Sequence, residues 1–116
     1  MKALGYRATI LRQWQQFFER HPLMLMPTCR QPAFALGLDT LGDTEMKWIF
    51  DAVAPILAPA LLGLPCLAVP TGMSGNIPVG VQLVAARFRE DLCLDAGEAI
   101  EARAAIATPV DPSLAN

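Results

Sequence analysis

The sequence predicts an α/β chain in which helices pack on a small mixed sheet. Two observations lead there. Stretches with helical spacing of apolar residues alternate with short strand-like runs in the order helix, strand, helix, strand, strand, helix. Apolar residues make up 53% of the chain and charged residues 17%, a balance that excludes a disordered chain. The 116 residues suffice for one domain, and a domain of that size buries roughly two-thirds of the surface its unfolded chain exposes. The apolar fraction is high for so small a domain and points to a missing partner surface.

Residues 2–20 read as an amphipathic helix. Leu4, Ala8, Leu11, Trp14 and Phe18 recur at steps of three and four, while Lys2, Arg7, Arg12 and Glu19 face away. His21-Pro22 ends it, because the residue before a proline is pushed out of the helical region. Leu23–Met26 is a continuous apolar run, expected to be a strand buried on both faces. Residues 27–43 are irregular, punctuated by Pro32, Gly37 and Gly42. With Phe34, Leu36, Leu38 and Leu41 this segment is too apolar for a solvated tether and is expected to lie across a surface.

Asp43 or Thr44 can cap a second helix running to about Leu57, with Glu45 favourable in its first turn. Leu64–Val69 and Val79–Ala85 are strand-like, and residues 71–76 between them turn the chain into an antiparallel pair. A strand–helix–strand step in one sheet is expected to cross over with right-handed sense. A last helix is expected from about Arg89 to Ala105, with Glu90 and Asp91 at its positive end and Leu92, Ala96, Ala99 and Ile100 as its apolar stripe. A polar tail follows from about residue 107.

Net charge is −2 and the nine Lys/Arg are scattered, so no basic face is offered to a phosphate backbone and no nucleic-acid partner is expected. Cys29, Cys66 and Cys93 show no metal-ligand or disulfide spacing and read as thiols in a reducing compartment. With no secretory signal visible, the cytoplasm is the expected location. No charged residue occurs from Ala52 to Ala86, and Ala52–Val69 has the length of a membrane span. Pro55, Pro59 and Pro65 interrupt it, so buried core is the better reading and no membrane association is expected.

Nucleophiles are few. The two serines are Ser74, in a Gly-flanked turn, and Ser113, in the tail; Lys2 and Lys47 lie on polar helix faces. A Cys29–His21 pair flanking one strand is conceivable as thiol and base. The favoured alternative makes His21 a cation at a helix end and Cys29 a small apolar filler. Asp39 with Asp43 could line a site, whereas Glu90, Asp91 and Asp95 read as a solvated face. One histidine and dispersed cysteines leave no metal site, and no cofactor is expected. Residues alone thus give an α/β piece without an assembled active site.

The second half has recognisable wording. Leu62-Gly63-Leu64-Pro65, then Ala68-Val69-Pro70-Thr71-Gly72, then Ile77-Pro78-Val79-Gly80-Val81-Gln82-Leu83-Val84 resemble the C-terminal part of amidase-signature hydrolases. The match continues through residues 87–96, Ile100-Glu101 and residues 108–112, and upstream through Trp14, Phe17-Phe18, His21-Pro22-Leu23, Met26-Pro27 and Ala33-Phe34. The phrasing is closest to bacterial amidase and indoleacetamide-hydrolase-like members. Ala60 departs from the pattern, standing where many relatives have asparagine.

The resemblance implies a Ser–cis-Ser–Lys amide hydrolase, of which residues 1–116 form a single partial domain. The family's serines lie in a Gly/Ser-rich stretch that no position here matches, so this chain alone is expected to be inactive, with no catalytic residues. It also implies that the segment completes a large sheet and walls a substrate pocket. Pro27, Thr28, Cys29 and Phe34 are then the candidates for pocket lining. Expected partners are an N-terminal amidase portion, or a second copy through the apolar face, with a small amide substrate only in the complete enzyme. The competing reading is a non-catalytic protein-interaction module with an exposed apolar face.

Overall fold

The computed structural model describes residues 2–104. Its elements are helix α1 (Lys2–Arg20), strand β1 (Leu23–Pro27), a short 3-10 turn (Leu38–Thr40), helix α2 (Asp43–Leu62), strands β2 (Cys66–Ser74) and β3 (Ile77–Ala85), and helix α3 (Glu90–Ala104). The expected polar tail and the last residue expected of the final helix lie outside the described residues.

The sheet runs in the order β1-β3-β2, and both neighbouring pairs are antiparallel. β1 and β2 are therefore parallel to each other with β3 between them, so the β1–α2–β2 connection crosses over an inserted strand. The central strand β3 feeds two cores, because side chains alternate across a sheet. On one face Val84 packs with Leu64 and Leu62, Phe18 of α1, and Met24 and Met26 of β1. On the other, Leu83 and Ala85 pack with Val69 of β2 and Cys93 of α3. Burying each large apolar side chain contributes about 1.5–3 kcal/mol, so these two layers fix the sheet between α1–α2 and α3.

Close approach sharpens the second core. A Cβ on Gly97 would meet Leu67 Cδ2 at 2.5 Å, so α3 sits on β2 at a distance only glycine allows without displacing that side chain. The stripe of α3 is accordingly Leu92, Cys93, Ala96, Gly97 and Ile100; Ala99, expected within it, is exposed.

Three further expectations are corrected. β1 is not buried on both faces: among the described residues it is an edge strand paired with β3 alone, and Leu25 stays 59% exposed because α3 covers the β2–β3 side of the sheet. α2 is capped at Gly42, with no side-chain bond from Asp43 or Thr44, and it runs five residues past Leu57 with Pro55 and Pro59 inside it. The hairpin turn is tighter than residues 71–76. Only Gly75 and Asn76 separate the strands, and Gly75 alone has positive φ (+61°), the pattern of a type II′ turn whose twist suits a two-residue hairpin.

The α2 terminus is closed by backbone geometry. Gly63 at φ +67° lets Leu64 N–H reach Pro59 O (3.1 Å) and its own N–H reach Ala60 O (3.2 Å), a Schellman motif. Arg7 Nε donates to Leu61 O at 2.6 Å and Arg87 Nη2 to Leu62 O at 3.0 Å, which brings two cations to the negative helix end and ties α1 and the β3–α3 turn to it. No described helix is long and apolar enough to cross a membrane.

Candidate functional site

A concavity lies where β1 gives way to the irregular segment. Pro27 ends the strand, and the next residues run against the flank of α2. Arg30 N–H donates to Ala52 O at 2.9 Å and Cys29 Sγ donates to the same oxygen at 3.2 Å. Further on, Phe34 meets Trp48 of α2 edge to face, with ring centroids 6.5 Å apart. The hairpin forms the facing wall. Between them is a groove of about 510 Å³, with Thr28, Cys29 and Phe34 on one side, Val53 of α2 behind, and Ser74 and Val79 on the other.

Of the four residues singled out for pocket lining, Thr28, Cys29 and Phe34 come together here. Pro27 stands just outside, its carbonyl accepting a hydrogen bond from Gln82 Nε2 at 3.2 Å. Three contributors were not anticipated. Ser74, read as a turn residue, lines the groove from the last position of β2. Val53 faces it from α2, and the β3 segment Pro78–Gly80, at the start of the expected strand, forms part of the wall. Gln82 offered a signal that went unused: it is the one polar side chain of the apolar run Val79–Ala85, and only 3% of it is exposed.

The chemistry available in the groove is limited. Twelve of the described residues line it, and none of these is a histidine, lysine, aspartate or glutamate. The Cys29 thiol is engaged as a donor to the Ala52 carbonyl. His21 is elsewhere. It stacks on Phe17 with centroids 4.9 Å apart at the other end of β1. Five strand residues intervene, about 16 Å at the usual rise, so the Cys29–His21 pair does not assemble. Asp39 and Asp43 lie exposed outside the groove.

Elsewhere, Asp91 pairs with Arg89 at 2.9 Å on the exposed start of α3, and that bond holds its carboxyl below the ordinary range. Burial raises the Cys66 thiol, and burial followed by nearby Cys66, Glu90 and Asp91 raises Cys93. Among the described residues no cluster of three or more His, Cys, Asp and Glu could hold a metal ion.

Comparison with known proteins places this arrangement. A family model described as Amidase matches residues 1–94. An indoleacetamide hydrolase of Bradyrhizobium japonicum is 43% identical over 107 residues, which cover 91% of this chain and 23% of the relative. A glutamyl-tRNA(Gln) amidotransferase subunit from Pediococcus pentosaceus is 37% identical over 101 residues, covering 87% of this chain and 20% of that protein. Among solved structures, the corresponding subunit from Thermotoga maritima superposes with a TM-score of 0.73 at 31% identity, covering 86% of this chain and 21% of that one. A 6-aminohexanoate cyclic dimer hydrolase complexed with substrate gives 0.62 at 28% identity over 84% of this chain and 22% of its own. The chain thus spans about a fifth of the length of the relatives it matches.

Proposed function

The chain belongs to the amidase family, and we propose that it forms the substrate-pocket wall and part of the core sheet of an amide-bond hydrolase. The nucleophile and its base come from residues outside this chain. One observation carries the reading: a groove of about 510 Å³, lined by apolar side chains, the hydroxyls of Thr28 and Ser74, the Cys29 thiol, Gln31 and the Arg30 cation, has no histidine, lysine or carboxylate to act as a base among the described residues. A serine or thiol without an adjacent base is a poor nucleophile at neutral pH. Such a wall can bind and orient an amide but cannot form an acyl-enzyme.

Within this reading Thr28, Cys29 and Phe34 face the substrate, and Pro27 sets where the wall begins. The Phe34 ring, held edge to face by Trp48, gives the groove an apolar surface suited to the non-reacting part of a linear amide. The same reading accounts for the surplus apolar surface. Trp48, Phe50, Ile56 and Leu61 of α2 are between 40% and 70% exposed, more than a solvated helix face needs, and they would pack against the remainder of the enzyme.

The test is complementation. The chain is co-produced with the portion of a related amidase that precedes the matched region, and hydrolysis of aryl and alkyl amides is followed. Activity is expected only when both parts are present, and neither Ser74→Ala nor Cys29→Ala should abolish it. Phe34→Ala should raise KM roughly tenfold, the equivalent of 1.4 kcal/mol, with kcat little changed, as expected for lost uniform binding. Turnover by the chain alone that disappears with Ser74→Ala or Cys29→Ala would overturn the proposal.

A further inference from the structure

Gln82 lies in the middle of β3 and is 3% exposed, on the same side of the strand as the core residue Val84. A buried amide is costly unless its hydrogens find acceptors. Both hydrogens of Nε2 do: one goes to Pro27 O at 3.2 Å and the other to Pro55 O at 3.1 Å. The second acceptor exists for a reason visible in the sequence. In a helix the carbonyl of residue 55 would accept from the N–H of residue 59, but residue 59 is proline and has none. Pro59 leaves a carbonyl unpaired inside α2, and Gln82 occupies it.

The other end of this bridge is the exit of β1, immediately before the groove wall. Two residues later Cys29 Sγ bonds to Ala52 O, as does the N–H of Arg30, about one helical turn before Pro55. The start of the wall is therefore hung on α2 at two backbone oxygens, Ala52 directly and Pro55 through Gln82. Without the glutamine, Pro27 O and Pro55 O would lie beneath the wall with no donor between them.

From this we infer that Gln82 is a positioning residue: it sets the place of the wall carrying Thr28, Cys29 and Phe34 without lining the groove itself. This rests on the reading that the groove takes substrate. Substrate contacts Gln82 only through the segment it holds.

The chain carries its own reporters, since Cys29 is half-buried, Cys66 exposed and Cys93 buried. Alkylation rates of the three thiols are measured by mass spectrometry in the parent chain, in Gln82→Met, which fills the space without donors, and in Gln82→Asn, one methylene too short to span both carbonyls. The Cys29 rate relative to Cys66 should rise about tenfold in Gln82→Met and by less in Gln82→Asn, while Cys93 stays protected in both. A ratio within twofold of the parent in both variants would overturn the assignment. So would a Cys93 rate that rises in step with Cys29, because Gln82 would then be a general core residue. In the complemented enzyme Gln82→Asn should raise KM severalfold and leave kcat within twofold; an unchanged KM beside restored activity counts against it. Failure of the parent to complement would instead remove the substrate reading, and the labelling ratios would still decide whether Gln82 holds the wall.

Discussion

Replacing Gly80 with alanine tests how tightly the groove is built. Gly80 sits in β3 opposite Pro70, beside the register shift between Pro70 and Gly72 in β2. An added Cβ would lie 2.6 Å from Val69 O, 3.3 Å from Val69 C and 3.4 Å from Pro70 Cα, all backbone atoms. A carbon–oxygen contact settles at about 3.3 Å, so β2 would have to retreat by roughly 0.7 Å. It cannot do so freely, since Val69 is 3% exposed and packed in the core beneath α3. Overpacking of this kind costs about 1–3 kcal/mol. At about 2 kcal/mol, and with a urea slope of about 1.5 kcal/mol/M for a domain this small, the unfolding midpoint should fall by roughly 1.3 M. Gly72→Ala is the matched control: it lies in the same ladder, and nothing stands within 4 Å of its Cβ position, so its effect should stay within about 0.5 kcal/mol. Urea unfolding followed by circular dichroism compares the two. A loss under about 0.5 kcal/mol for Gly80→Ala, or equal losses for both, would refute the close approach.

Two further outcomes follow from helix ends. Gly63→Ala places a Cβ at φ +67° and 3.3 Å from Arg87 Nη2, which donates to Leu62 O; left-handed geometry alone costs about 1–2 kcal/mol, so thermal unfolding should show at least that loss. The Arg89–Asp91 pair depresses the Asp91 pKa, so its contribution is present above the unfolded value of about 3.9 and is lost as pH falls through the lower folded value. Both groups are exposed, so Asp91→Asn should destabilise only slightly at pH 7, and the difference should vanish in strong acid or high salt.

Where sequence reading succeeded, one local rule was enough. Spacing at three and four residues marked α1, and His21-Pro22 stopped it where the structure does. The turn-rich segment 71–76 between two apolar runs marked an antiparallel hairpin, though β2 runs on to Ser74 and only Gly75-Asn76 form the loop. It failed where tertiary structure overrode a local rule. Pro55 and Pro59 argue for ending α2 near Leu57, yet the helix continues to Leu62 because the carbonyl that Pro59 frees finds the Gln82 amide five strand positions into β3. Leu25 reads as core by its neighbours, but its burial depends on how far α3 reaches across the sheet, which no window around Leu25 contains.

The groove shows the same division. Thr28, Cys29 and Phe34 are singled out only through the resemblance to amidase-signature hydrolases. Ser74, Val53 and Gly80 join them only through the β2–β3 register and the lie of α2. What then defines the wall is a set of backbone acceptors more than side-chain chemistry. Ala52 O takes two donors from the wall, and Pro55 O takes one from the strand beneath it. Carbonyl positions are fixed by the helix and shift little when a neighbouring side chain changes, so a substitution at Gln31 or Ala33 should leave the wall in place. The exceptions are Pro59, which frees the acceptor, and Gln82, which fills it. A proline that breaks a helical bond and a glutamine buried in a strand each look unfavourable alone; together they hold the loop that forms the groove wall.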